Sequence, residues 1–162
     1  LALTNARFYE GRLTCGPHAP PRGVVEYVDV ADGREEADGT SYYNLAEVDA
    51  VARAVADANA ARDNQNDEDN QGNQDNSVVV LCPYVAQGRR VLARGLGVPV
   101  HTIDSFQGRE ADTVVLTLVR DGSAGLGFWT DHRRLVVALT RARRRLVVVV
   151  SNRHAAWTGT LS

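Results

Sequence analysis

Apolar positions along the chain fall into two kinds of run. Short β-branched stretches at 24–30 (VVEYVDV), 78–82 (VVVLC), 98–103 (VPVHTI), 112–119 (DTVVLTLV) and the closing RLVVVVS predict strands, and the last of these reads as a central one. Helical spacing interleaves with them. Asn44 and Glu47 make a capping-box-like start, behind which Val48, Val51, Ala52 and Val55 recur at i, i+3, i+4 and i+7. Pro83 ends the second strand and residues 87–94 fit a short helix. Asp131 is placed to cap a further helix, with Leu135, Ala138, Leu139 and Ala142 as its apolar stripe.

Strands alternating with helices, several apolar on both faces, predict a three-layer α/β domain around a mainly parallel sheet. The connection DSFQGRE is too short for a full helical crossover between adjacent parallel strands, which leaves the order of the strands on either side of it open. Two segments carry little to bury. The stretch ADGREEADGTS reads as a polar loop, and residues 57–76, rich in Asn, Asp, Gln and Ala, read as a flexible acidic insertion.

With 162 residues the chain suits one domain. It contains no methionine and opens Leu1-Ala2-Leu3, so it is expected to be part of a longer protein. The net charge of -2 hides an asymmetry: residues 1–77 hold 15 acidic residues against 6 arginines, and residues 78–162 hold 5 against 12. Only the second half could attract phosphates strongly. Cys15 and Cys82 belong to no C-x-x-C pair and the four histidines are scattered, so neither a metal site nor a disulfide framework is indicated. With no apolar run of membrane-spanning length and no signal peptide, a soluble intracellular protein without membrane contact is expected.

All 18 basic residues are arginine. A phosphate-binding loop of the form G-x-x-x-x-G-K-[ST] needs a lysine, so this chain has none. Any nucleotide must be held mostly elsewhere. Against that absence stand TIDSFQGREADTVVLTLVR and GLGFWTDHRRLVVALTRARRRLVVVV, which resemble motifs V and VI of superfamily 1 helicases, most closely the Upf-like branch that moves 5′ to 3′ on RNA or DNA. NARFYEGRL, SYYNLAEVDAV and VVVLCPYVAQ follow that family's order upstream, the last in the place of its TPYxxQ segment. Two positions depart from the pattern: Cys82 stands where threonine is usual and Val136 where asparagine is usual.

The resemblance implies that residues 1–162 form a C-terminal RecA-like lobe of the P-loop NTPase type. An N-terminal lobe would carry the phosphate loop and most of the contacts to ATP and Mg²⁺, and single-stranded RNA or DNA would be the track. It implies an arginine finger at Arg141, with Gly108, Glu110 and Arg134 beside it at the nucleotide. Pro83, Tyr84, Gln87, Thr102, Asp104, Ser105 and Gln107 would meet the nucleic acid. The residue types suit these roles, since guanidinium bridges phosphoryl oxygens and glutamine both donates and accepts. Arg134 and Arg141 are expected on one flank of the third helix, Arg143, Arg144 and Arg145 at its basic end, and Phe106 in the core. Taken alone, the chain is expected to turn over no ATP. The alternative is a non-catalytic helicase-like module that binds nucleic acid or a protein partner.

Overall fold

The computed structural model describes residues 23–63, 77–123, 125 and 127–151. Five strands, β1 (Val24–Asp29), β4 (Val78–Cys82), β5 (Val100–Thr102), β6 (Ala111–Thr117) and β7 (Ala142–Val150), form one sheet in the order β1-β7-β6-β4-β5. Every pairing in it is parallel. Helix α1 (Leu45–Asp63) and helix α2 (Val85–Leu92) cover one face; helix α3 (His132–Leu139) and the 3-10 turns Asp104–Phe106 and Gly127–Thr130 lie with the other.

Strand alternation sorts the core into two halves. Val79, Leu81, Val114, Leu116, Leu146, Val148 and Val150 meet Phe106, Trp129, Leu135 and Ala138 on one side. Val80, Cys82, Val115, Val147 and Val149 meet Val48, Val51, Val55 and Val91 on the other. A sheet buried on both faces needs runs that are apolar without interruption, which is why VVVLC and LVVVV read as central strands. The three-layer α/β expectation holds.

The open question of strand order has a clear answer. β5 and β6 are not neighbours, because each pairs with β4 from opposite sides. Residues 103–110 therefore pass from the C-terminal end of β5, across β4, to the start of β6. A single 3-10 turn anchored by Phe106, 1% exposed, suffices for that passage.

Several local expectations need correction. The polar stretch after β1 contains an antiparallel hairpin, β2 (Glu36–Asp38) and β3 (Ser41–Tyr43), closed by Gly39 at φ +62 and Thr40. Its strands have three residues each and no apolar alternation, so periodicity gives no sign of them. Helix α1 extends through residues 57–63, the first part of the expected insertion, with Ala58 buried; residues 64–76 lie outside the described residues. Helix α3 ends at Leu139, and Ala142 to Arg145 already belong to β7. The three arginines expected at a helix end are therefore strand residues. Arg143 and Arg144 face Asp112, and Arg145 pairs with Glu26 through two bonds of 2.9 and 2.8 Å. A β-branched run directly after a helix recruits the preceding arginines into the sheet ladder, because each added strand residue gains two-sided pairing.

Candidate functional site

In an all-parallel sheet the C-terminal strand ends gather at one edge and the N-terminal ends at the other. The expected site residues divide between these edges. Pro83 and Tyr84 follow β4, and Thr102, Asp104 and Ser105 close β5, all at the C-terminal edge. Arg109 and Glu110 precede β6 and Arg141 precedes β7, at the N-terminal edge.

A buried polar cluster sits at the C-terminal edge. Glu47, in the first turn of α1, accepts from Thr117 Oγ1 at 2.5 Å, Val119 N at 2.8 Å and Ser151 N at 3.1 Å. Its Oε1 also accepts from the Asn44 side-chain Nδ2 at 3.5 Å, but it does not return to the Asn44 backbone amide as a capping box would. That amide instead donates to Gln87 Oε1 at 2.9 Å, while Gln87 Nε2 donates to Thr117 Oγ1 at 3.0 Å. Asn44 still caps the helix, its Oδ1 accepting from Glu47 N, and its Nδ2 donates to Ser151 Oγ and the Val119 carbonyl. Val119 has φ +68, a strained conformation for a β-branched residue, and both of its backbone polar groups are held by α1. Burial raises the Glu47 pKa from 4.5 to about 7, against the four hydrogen bonds that lower it.

Gln87 is thus corrected. Expected at the nucleic acid, it is fully buried and joins α1, α2 and β6. Tyr84 keeps a partly exposed ring, but its hydroxyl accepts from Phe128 N at 3.1 Å, and the ring stands edge-on to Tyr42 and Phe128. Beside it Arg120 is buried against Glu35 at 2.9 Å, with exposures of 5% and 7%, and lies over the Tyr42 ring. Gly127, at φ +51, lets the backbone press on Tyr84 Oη and Arg120; a Cβ there would come within 2.8 and 2.7 Å of them. A cleft of about 400 Å³ opens next to this cluster, between Pro83, Tyr84 and Arg89 on one side and Asp38, Thr40 and Ser41 of the hairpin on the other. Cys82 is fully buried and its thiol pKa is raised by burial, so the departure from threonine falls in the core and not on the cleft.

Thr102 and Ser105 bind each other. Ser105 N donates to Thr102 Oγ1 at 3.3 Å and Ser105 Oγ donates to the Thr102 carbonyl at 2.9 Å. Asp104 faces Arg134 at 3.7 Å, and the Arg134 guanidinium also lies over the Phe128 ring. Arg134, expected beside Arg141 at the nucleotide, lies next to Asp104, which is expected at the nucleic acid. Arg141 stands beyond the end of α3, so the shared helical flank does not exist.

The N-terminal edge is open. Gln107, Gly108, Arg109 and Glu110 are all exposed, and Gly108 has φ +78, which any other residue would hold only under strain. Arg141 closes onto this loop. Its Nε donates to the Val137 carbonyl at 2.9 Å, Nη1 to the Arg109 carbonyl at 3.1 Å and Nη2 to Thr140 Oγ1 at 2.9 Å. The Arg141 carbonyl accepts from Ala111 N at 3.0 Å. Residues 107–110 and the end of α3 therefore form one unit around a half-buried guanidinium.

Comparison with known proteins decides the lineage. Residues 1–153 match the family described as "AAA domain". The chain is 32% identical over 96% of its length to the Regulator of nonsense transcripts 1 homolog of Arabidopsis thaliana. It is 30% identical over 94% to Helicase SEN1 of Saccharomyces cerevisiae, and 31% over 93% to ATP-dependent helicase upf1 of Schizosaccharomyces pombe. The chain belongs to this superfamily 1, Upf1-like helicase family. It spans 14%, 8% and 18% of the lengths of those three relatives. The C-terminal domain of a possible DNA helicase from Lactobacillus plantarum superposes with a TM-score of 0.55, covering 80% of this chain and 76% of that one at 16% identity. That likeness shows the RecA-like α/β fold. Among the described residues no helix is long and apolar enough to cross a membrane.

Sequence reasoning missed Glu47 as a hub, Arg120 as a buried cation and Thr140 as a partner of Arg141. For Glu47 the signal is the carboxylate three residues after Asn44, which spacing alone assigns to a cap. For Thr140 it was the hydroxyl one residue past a helix end, where unpaired carbonyls gather.

Proposed function

We propose that this chain is the C-terminal motor lobe of an ATP-dependent helicase acting on single-stranded RNA or DNA, working with an N-terminal lobe that holds the phosphate loop and Mg²⁺. The single observation that carries the reading is the state of Arg141. Three of the five guanidinium N–H groups are spent on its own lobe, leaving one on each terminal nitrogen at an open edge. A planar cation fixed in that way can meet a phosphoryl group without reorganising, which is the condition for stabilising charge that develops in the transition state. Gly108 and Glu110 sit on the same loop and would border the nucleotide.

The opposite edge serves the strand. Pro83, Tyr84, Thr102, Asp104 and Ser105 lie there, Gln107 follows on the exposed return of the loop, and Arg134 joins them through Asp104. Residues 103–110 run from one edge to the other, so movement of the strand-contact turn is transmitted to the Arg109 carbonyl and hence to Arg141. Adenine nucleotide and strand would be coupled through one short covalent segment.

The test uses the full-length protein that carries this chain, saturated with ATP and single-stranded nucleic acid. Arg141→Ala should reduce ATP turnover by roughly 10³ to 10⁵ with little change in nucleotide affinity. Arg144→Ala, an exposed residue of β7, is the control and should be nearly silent. Equal turnover by the two folded variants would sink the proposal.

A further inference from the structure

The guanidinium of Arg141 is not held by its backbone position alone. Helix α3 ends with the Val136 and Val137 carbonyls facing the chain that follows, and a helix C-terminus carries partial negative charge. Thr140, the C-cap residue at φ -101 and ψ 4, meets those carbonyls with both its amide and its hydroxyl. Its Oγ1 donates to the Val136 carbonyl at 2.8 Å and sits 3.2 Å from that of Val137. A hydroxyl that has given its only proton to a carbonyl keeps its lone pairs, and one of them accepts from Arg141 Nη2 at 2.9 Å.

We propose that Thr140 is a positioning residue for Arg141. Its hydroxyl fixes the rotation of the guanidinium about the chain so that the two unspent N–H groups face out of the lobe. The three anchors differ in what they fix. The Val137 carbonyl holds Nε, at the root of the group, and the Arg109 carbonyl holds Nη1 from an exposed loop. Among the described residues only the Thr140 hydroxyl grips Nη2, and it does so from the end of α3. Without it the outer part of the plane is held by the exposed loop alone, through Nη1, so it tilts with that loop about the Nε contact and the donors are no longer pre-aimed. This rests on the reading of Arg141 as the finger, and adds a residue that never touches the nucleotide.

Two substitutions separate aim from fold. Thr140→Ser keeps the hydroxyl; Thr140→Val keeps the shape and removes it. A hydrogen bond to a charged group contributes about 1.5 to 3 kcal/mol, so loss of the aim corresponds to about 10- to 100-fold in turnover. In the full-length protein at saturating single strand, Thr140→Val should lower kcat by that factor with KM for ATP within about twofold. Thr140→Ser should restore kcat. A second readout needs no nucleotide: in the 162-residue chain, the Arg141 Nε–H, assigned in the nitrogen-15 spectrum by its loss in Arg141→Lys, should exchange slowly in the wild type and in Thr140→Ser and faster in Thr140→Val. Wild-type kcat in Thr140→Val, while Arg141→Ala is inactive, overturns this proposal and leaves the finger standing. Full turnover by Arg141→Ala overturns both together. An equal fall in Thr140→Ser and Thr140→Val, with unchanged Nε–H exchange, also overturns it, since the hydroxyl would then not be the cause.

Discussion

The buried cluster around Glu47 at the C-terminal edge and Arg141 at the N-terminal edge handle polar groups in opposite ways. At the C-terminal edge Asn44, Glu47, Gln87, Thr117 and Ser151 are at most 0% exposed and satisfy one another. At the N-terminal edge Arg141 is half-buried and bonded to carbonyls and one hydroxyl, with donors left over. Polar residues that suggest ligand contact thus become scaffold inside the cluster, whereas Arg141 keeps donors available. What separates them is the number of elements converging. Three elements close over Gln87, whereas only a loop and a helix end meet at Arg141.

The sharpest way to break the comparison is Arg141→Lys in the full-length protein. A lysine ammonium cannot hold two carbonyls, a hydroxyl and a phosphoryl oxygen in one plane, so turnover should fall nearly as far as for alanine, by roughly 10³-fold or more. Steady-state hydrolysis at saturating ATP measures it, and turnover within tenfold of wild type would show that charge alone suffices.

In the buried cluster the effect should be on stability. Gln87→Ala strands the Asn44 amide and opens a cavity, which should lower unfolding free energy by about 2–4 kcal/mol in denaturant titration. A change below about 0.5 kcal/mol would mean that the cluster is open to water.

Glu47 gives the comparison a pH signature. Its pKa is raised in the folded chain, from 4.5 to about 7, so the folded state binds the proton more tightly than the unfolded state. Its contribution is therefore full below pH 4.5 and is lost as pH rises to about 7, an effect of about 3 kcal/mol. The stability of the wild type relative to Glu47→Gln should fall by that order between pH 4.5 and pH 8. A flat difference across this range would show that the carboxylate is hydrated.

The smallest effect concerns Arg134, whose pair with Asp104 is exposed. Arg134→Ala should change stability by less than about 1 kcal/mol. It should weaken binding of a single-stranded oligonucleotide at low salt and leave KM for ATP unchanged, placing the residue with the strand edge. The reverse pattern would return it to the nucleotide.

By itself the sequence determined the class of fold and the location of its central strands, because a sheet buried on both faces demands unbroken apolar runs such as 78–82 and 146–150. It also determined the lineage, through long motif matches that short-range pattern cannot produce by chance. The hairpin at 36–43 was illegible, since three-residue strands without alternation owe their form to packing on α2, where Arg90 reaches Asp38 and lies over Tyr43. Only the tertiary structure decided which polar residues are scaffold. Gln87, Glu47 and Arg120 become buried because elements distant in sequence close over them, as the Glu35–Arg120 pair and the Glu47–Ser151 bond show. Arg141 keeps part of its side chain exposed for the converse reason: its side-chain anchors are all local or on one exposed loop.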